Sequence, residues 1–145
     1  MNAKRYTLHA EYLRLFDANL NRCREGFRVL EDSARFVLNK PALYKKLRSM
    51  RHGVDKLTRG IYPQLLSERD AQTDSGRLMK EKNARSGLGA VMAANFRRVE
   101  ESLRVLEEYG KIICPPAAPG FKAIRFSAYT LEKKAIVEYK KYDIG

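Results

Sequence analysis

Two stretches of the chain hold the residue types of an anion-binding site, in the same order. Asn19, Arg22, Glu25, Arg28 and Glu31 recur 76 positions later as Asn95, Arg98, Glu101, Arg104 and Glu107. A guanidinium presents a planar fork of donors that matches a phosphate or carboxylate, and an amide beside it adds a donor and an acceptor. The interleaved carboxylates suit cation binding or ion pairing with those arginines. Such chemistry works by holding and neutralising charge. Signatures of other chemistries are missing: there is no Ser/His/Asp arrangement with motif context, no dinucleotide fingerprint and no His/Cys metal cluster.

The steps of three between these residues place them on helices. Leu20, Cys23, Phe27, Leu30, Ala34 and Val37 form one apolar stripe at three-four spacing, and Met92, Phe96, Val99, Leu103, Leu106, Gly110 and Ile113 form another. Glu25–Arg28–Asp32 and Glu31–Arg35 then read as ladders of solvated pairs, each contributing about 0.2–0.5 kcal/mol to an isolated helix. A ladder needs complementary charge but not the same residue at every step, so the repetition asks for more. Asparagine away from a cap is a mediocre helix former, which makes Asn19 and Asn95 harder still to dismiss. The spacing leaves two readings open. Facing helices would gather these groups into either a buried polar network that fixes helix register or a symmetric site for an anionic ligand.

The elements that must position these residues complete the duplication. Leu43, Leu47, Met50, Val54, Leu57 and Ile61 mark a second helix, with Pro41 in its first turn and Asn39 as its expected cap. Phe121, Ile124, Ala128, Leu131 and Ala135 mark a fourth, after "CPPAAPG". "YKKLRSMRHGVDK" from Tyr44 aligns with "FKAIRFSAYTLEK" from Phe121 at an offset of 77, matching Arg48 to Arg125. No stretch alternates as a strand does. The expected fold is all-α: a duplicated helical hairpin forming a four-helix bundle with pseudo-two-fold symmetry. The expected organisation is one domain over residues 1–145, with halves at about 14–66 and 90–142 and a linker at 67–89.

That linker, "SERDAQTDSGRLMKEKNARSGLG", is polar, rich in glycine and charge, and unduplicated. Long loops on rigid scaffolds commonly carry function. Arg69, Asp70 and Asp74 are its candidate catalytic residues. The competing reading is that Asp70 caps a turn and Asp74 begins the next. "SGLG" before the third helix presents backbone N–H groups but lacks the rest of a P-loop, so a plain turn is the better reading. His52 is a weaker candidate than the arginines around it.

Composition bounds the partners. The 145 residues carry 44% hydrophobic and 32% charged side chains with a formal net charge of +12, and 16 of the 29 basic residues are arginine. Charge of that size suits nucleic acid, an anionic surface or small phosphorylated ligands. A basic nucleic-acid-binding module, or a regulatory domain without catalysis, is the alternative to an enzyme. The repeated Asn and Glu argue for an inward polar site instead. No apolar run approaches the roughly 20 residues of a spanning helix, and the first residues lack the pattern of a signal peptide. Cys23 and Cys114 stand far apart, so the expectation is a cytoplasmic protein with reduced cysteines and no membrane association.

Taken together, "DANLNRCREGFRVLEDSARF", "LRSMRH", "ERDAQTDSG", "ANFRRVEESLRVLEEYGK" and "FKAIRFSAYTLEK" resemble the single-function hydroxymethylpyrimidine phosphate kinases of thiamine biosynthesis. That family is best known as an N-terminal domain fused to thiamine phosphate synthase. The resemblance runs from about Arg14 to Lys134, and it departs at Glu68, where the family more often has alanine. It implies ATP-dependent conversion of hydroxymethylpyrimidine phosphate to its diphosphate, with Mg²⁺. Residues 1–145 leave no room for a synthase barrel, so the resemblance implies a separate synthase as downstream partner. A homodimer is compatible with the sequence.

Roles follow from the chemistry. The nucleophile would be a phosphate-monoester oxygen, already anionic at neutral pH because its second pKa is about 6. No strong base is then required; several anionic groups must be held in line, which arginines and a metal ion achieve. Asp70 and Asp74 are the expected Mg²⁺ ligands and Arg69 a direct phosphate contact. Asn19, Arg22, Glu25, Arg28, Arg51, His52, Asn95, Arg98, Glu101 and Arg104 are the expected substrate- and phosphate-binding set.

Overall fold

The structure, a computed structural model, describes residues 3–81 and 84–144, and side chains over 9–81 and 84–140. Helix α1 spans Ala3–Asp32 and runs into a π-turn at Ser33–Val37. Helix α2 spans Pro41–Thr58, α3 Tyr62–Glu68, α4 Leu88–Ile113 and α5 Ala118–Ile144, with short 3₁₀ turns at Ser75–Leu78 and Pro115–Ala117. The fold is all-α, with no strand among the described residues. No described helix is long and apolar enough to cross a membrane.

Asn39 acts differently from its expected role. It takes a left-handed conformation at φ 53°, which asparagine tolerates better than most residues. That lets Lys40 N donate to Ala34 O at 2.9 Å, closing the end of the first helix, while Leu38 N donates to Ser33 O at 3.0 Å. Asn39 therefore terminates the first helix rather than capping the second. The second helix starts from Lys40 with Pro41 in its first turn and no side-chain cap.

The apolar stripes decide the packing. α1 and α4 form the largest interface, α2 lies on α1, α5 lies on α4, and α2 touches α5 to close the four-helix bundle. α1 and α4 run antiparallel: the Tyr12 ring lies 5.9 Å from that of Tyr109, while Gly26 meets Val99. A Cβ on Gly26 would stand 2.8 Å from Val99 Cγ2 and 3.3 Å from Asn95 O, so only glycine permits this approach. Phe16, Phe27, Phe96 and Phe121 are fully buried, and Phe16 meets Phe121 edge-on at 5.9 Å.

The duplication also appears in buried charge. Arg51 Nε and Nη2 donate to Glu31 Oε2 and Oε1 at 2.6 and 3.0 Å. In the other half, Arg125 Nη2 donates to Glu107 Oε1 at 2.8 Å. Glu31 and Glu107 are 0% and 6% exposed, so neither belongs to a solvated ladder. Glu31 is thus not paired with Arg35, whose guanidinium lies instead over the rings of Phe36 and Tyr44. Its partner comes from α2, and it is Arg51 rather than Arg48, the residue aligned with Arg125. Bidentate pairing to a fully buried carboxylate fixes how the second helix of the hairpin sits on the first.

Candidate functional site

α1 contributes one wall of a concavity of ≈ 580 Å³, and the chain leaving α3 contributes the other. Asn19, 8% exposed, donates from Nδ2 to Leu15 O at 3.0 Å, and this satisfies its amide without breaking the helix. Its Oδ1 accepts from Arg22 Nη1 at 3.3 Å, steadying that guanidinium at the concavity. Arg14 lies on the same wall, 3.9 Å from Glu68. Glu68, the departure from the resembled family, thereby lies beside an arginine of this site.

The opposite wall is held by one ion pair. Arg69 follows the last turn of α3 in extended backbone, at φ −62° and ψ 133°. Its Nε and Nη2 donate to Asp17 Oδ2 and Oδ1 at 2.7 and 2.9 Å. Asp17 is 3% exposed. The hydrogen bond that Arg69 donates to Asp17, more than any other influence, raises the Arg69 pKa, and the guanidinium remains charged throughout. The two donors the sequence assigns to phosphate therefore belong to Asp17, and Arg69 pins the loop to α1.

Beyond Arg69 the loop makes two successive side-chain caps. Thr73 N donates to Asp70 Oδ1 at 3.2 Å, and the Thr73 hydroxyl donates to Asp70 Oδ2. The Thr73 hydroxyl is the largest influence lowering the Asp70 pKa, followed by its backbone N–H. Asp74 Oδ1 accepts from Gly76 N at 2.8 Å and caps the 3₁₀ turn. Both aspartates thus perform the turn-capping roles of the competing sequence reading, while lining the concavity. Among the described residues Asp74 Oδ2 makes no hydrogen bond, and no group of three His, Cys, Asp or Glu surrounds a metal-sized space.

The second copy of the motif goes elsewhere. Asn95 repeats the local bond of Asn19, donating from Nδ2 to Val91 O at 2.9 Å. Its carbonyl lies beside Gly26, seven residues along α1 from Asn19 and so about 10 Å away at the helical rise. Arg98 approaches Glu81 at 4.0 Å. Neither Asn95 nor Arg98 lines the concavity, so the expected common site of the two motifs does not form. Glu25 and Glu101 are exposed, and Arg28 lies 4.0 Å from Asp32 in an ordinary surface pair. Arg104 pairs with Glu107 and Glu108 at 3.5 and 3.3 Å. Arg51 is used by Glu31, and His52 is exposed on α2 away from the concavity.

Sequence reasoning passed over Arg14, Asp17 and Thr73. A signal for Asp17 was present: at the 76-residue offset it faces Ala93, a break in the polar repeat.

The sequence model of the ThiD2 family matches residues 14–134, a span that includes every residue named around the concavity. Similar curated proteins include the thiamine-phosphate synthase of Nostoc punctiforme, 40% identical over 121 residues, which are 82% of this chain and 34% of that protein. The thiamine-phosphate synthase of a Synechococcus strain is 41% identical over 128 residues, 87% of this chain and 36% of that protein. That of Rhodopirellula baltica is 39% identical over 120 residues, 81% of this chain and 32% of that protein. The chain spans about a third of the length of these relatives. No solved structure matches it.

Proposed function

The chain belongs to the ThiD2 family, and we propose that it acts in thiamine biosynthesis as a kinase, transferring the γ-phosphoryl group of ATP to hydroxymethylpyrimidine phosphate. The acceptor's phosphate oxygen attacks the γ-phosphorus, the bond to the β-phosphate oxygen breaks, and ADP leaves as the pyrimidine diphosphate forms. That the relatives are thiamine-phosphate synthases supports the pathway. The observation that supports the reaction is the convergence of Asn19 and Arg22 on α1 with Arg69, Asp70 and Asp74 on the loop around one concavity.

Arg22, steadied by Asn19, and Arg14 are the cations of this wall whose side chains are not locked in a bidentate pair. They take the phosphate contacts, spreading charge over the transferring group. Arg69 positions the loop through Asp17 and adds its field. Mg²⁺ binds with one or two carboxylates and completes its shell with phosphate oxygens and water, so a full protein cage is not needed. Asp74, with one oxygen making no hydrogen bond among the described residues, and Asp70 beside it fit that requirement, and the ion would supply charge neutralisation between the phosphates. No residue is required as a strong general base, and no histidine is among the described lining residues.

Incubation of the purified chain with ATP, Mg²⁺ and hydroxymethylpyrimidine phosphate tests the proposal. Stoichiometric ADP and pyrimidine diphosphate are expected. ATP left intact, or hydrolysed to free phosphate alone, would refute it.

A further inference from the structure

A second opening lies between α2 and α5, where the two hairpins meet. These helices come close at Gly53, where an added Cβ would stand 3.3 Å from Ile124 Cδ1. Nearby they leave a groove of ≈ 490 Å³, within the size range of small-ligand sites. Met50 and Phe126 supply apolar surface, with Phe126 53% exposed, and Ser49 and Thr130 supply hydroxyls. Lys46 from α2 and Lys134 from α5 also line it.

The charge here differs from that in the rest of the bundle. Elsewhere cations meet carboxylates across helices: Arg24 with Asp55 at 2.8 Å, Arg51 with Glu31, Arg125 with Glu107. In the groove, Lys46 and Lys134 line the same opening, no carboxylate is in the lining, and neither lysine forms an ion pair among the described residues. Lys134, through its side-chain contact first and its charge second, lowers the Lys46 pKa. Two like charges lining one groove with an apolar floor are complemented by an anion with an apolar body.

We propose that this groove binds a small phosphate monoester carrying a flat ring, with the phosphate between Lys46 and Lys134 and the ring against Phe126 and Met50. Hydroxyls at Ser49 and Thr130 are within the same lining to meet phosphate oxygens. The groove is separate from the α1–loop concavity. Tyr44 lies beneath Arg35 and Arg51 reaches Glu31, so residues 46–50 sit level with the end of the first helix. The concavity is built on residues 14–22, roughly 20 Å earlier along that helix at its normal rise. One small ligand cannot occupy both, and the inference stands whether or not the chain is a kinase.

Backbone amide NMR of the ¹⁵N-labelled chain tests this with 4-nitrophenyl phosphate, inorganic phosphate and 4-nitrophenol as probes. Saturable shifts at residues 46–50 and 126–134 are expected, strongest for the aryl phosphate and absent for the phenol. The double variant K46M/K134M should weaken binding by at least ~10-fold, the scale of one lost charge-assisted contact. Its melting temperature should equal or exceed wild type, because the change removes two like charges from one groove. Phe126→Ala should weaken the aryl phosphate but not inorganic phosphate, and Arg22→Ala should leave the groove shifts unchanged. Shifts confined to residues 14–22 and 69–75, equal binding of the phenol, unchanged affinity in K46M/K134M, or no saturable shift would each overturn the proposal.

Discussion

Asp17 and Arg69, 52 positions apart in sequence, form a bidentate ion pair at 2.7 and 2.9 Å, and this pair joins the loop to the helix that carries Asn19 and Arg22. The carboxylate is nearly buried, whereas the Arg69 side chain is 34% exposed, so the pair resembles an anchor set into the helix wall. Asp17→Asn keeps the shape but removes the charge. It should lower stability by about 2 kcal/mol, the scale of a hydrogen bond to a charged group. Turnover should fall further than unfolding explains, because the loop loses its position. Denaturant melts and steady-state kinetics on the same preparation separate the two effects.

Asp74 is exposed and contributes a single backbone cap. Asp74→Asn should therefore leave the melting temperature within a degree or two, the usual consequence of a surface change. If it holds Mg²⁺ against the donor phosphates, turnover should fall at limiting magnesium and recover in excess. Full activity at limiting magnesium would remove Asp74 from the metal site.

Glu31 and Glu107 give the opposite outcome. Each is buried and paired with an arginine of the next helix. Breaking such a pair typically costs about 3–5 kcal/mol, because the remaining charge is left uncompensated. Glu31→Ala and Glu107→Ala should each be destabilised on that scale while activity per folded molecule changes little. Chemical denaturation alongside an active-site titration checks both statements.

The duplication breaks its charge pattern between α4 and α5. Arg24 and Asp55 form a 2.8 Å ion pair in the first half. Their repeat equivalents, at offsets of 76 and 77, are Glu100 and Glu132. Burial, followed by Glu132, raises the Glu100 pKa from 4.5 to about 8. A carboxyl whose folded pKa is raised binds its proton more tightly in the native state. Its contribution is therefore complete below pH 4.5 and is lost as pH rises through about 8. Melting temperature should decline across that window, more steeply in wild type than in Glu132→Gln. Glu100→Arg, which rebuilds the ion pair of the first half, should flatten the decline. A pH-independent melting temperature in wild type would contradict the assignment.

The stripes made the bundle legible. Leu20, Phe27, Leu30, Phe96, Leu103 and Leu106 are all buried, as their three-four spacing requires. Glu31 was not legible, because a carboxylate at helical spacing looks the same whether it meets solvent or an arginine on another helix. Asp17 was hidden similarly, since its partner is 52 residues away and sequence spacing reports only local neighbours. Helix α3 carries no legible stripe because its seven residues make only two turns, and Pro63 sits in its first turn, where proline is well tolerated. The larger error concerned the two Asn–Arg motifs. Two helices related by a two-fold axis and running antiparallel bring equivalent residues together only near their crossing. That crossing is at Gly26 and Val99, so Asn19 and Asn95 are carried to different places.

That separation supplies the most direct test of the proposed site. Arg22 and Arg98 are repeat equivalents on α1 and α4, but only Arg22 lines the concavity with the loop. The measurement is kcat/KM for pyrimidine diphosphate formation in Arg22→Ala and Arg98→Ala, each compared with wild type at matched stability. Loss of one charged phosphate contact should cost Arg22→Ala roughly 10–100-fold, with Arg98→Ala close to wild type. Equal losses in both variants, or a loss confined to Arg98→Ala, would contradict the placement of phosphoryl transfer between α1 and the loop.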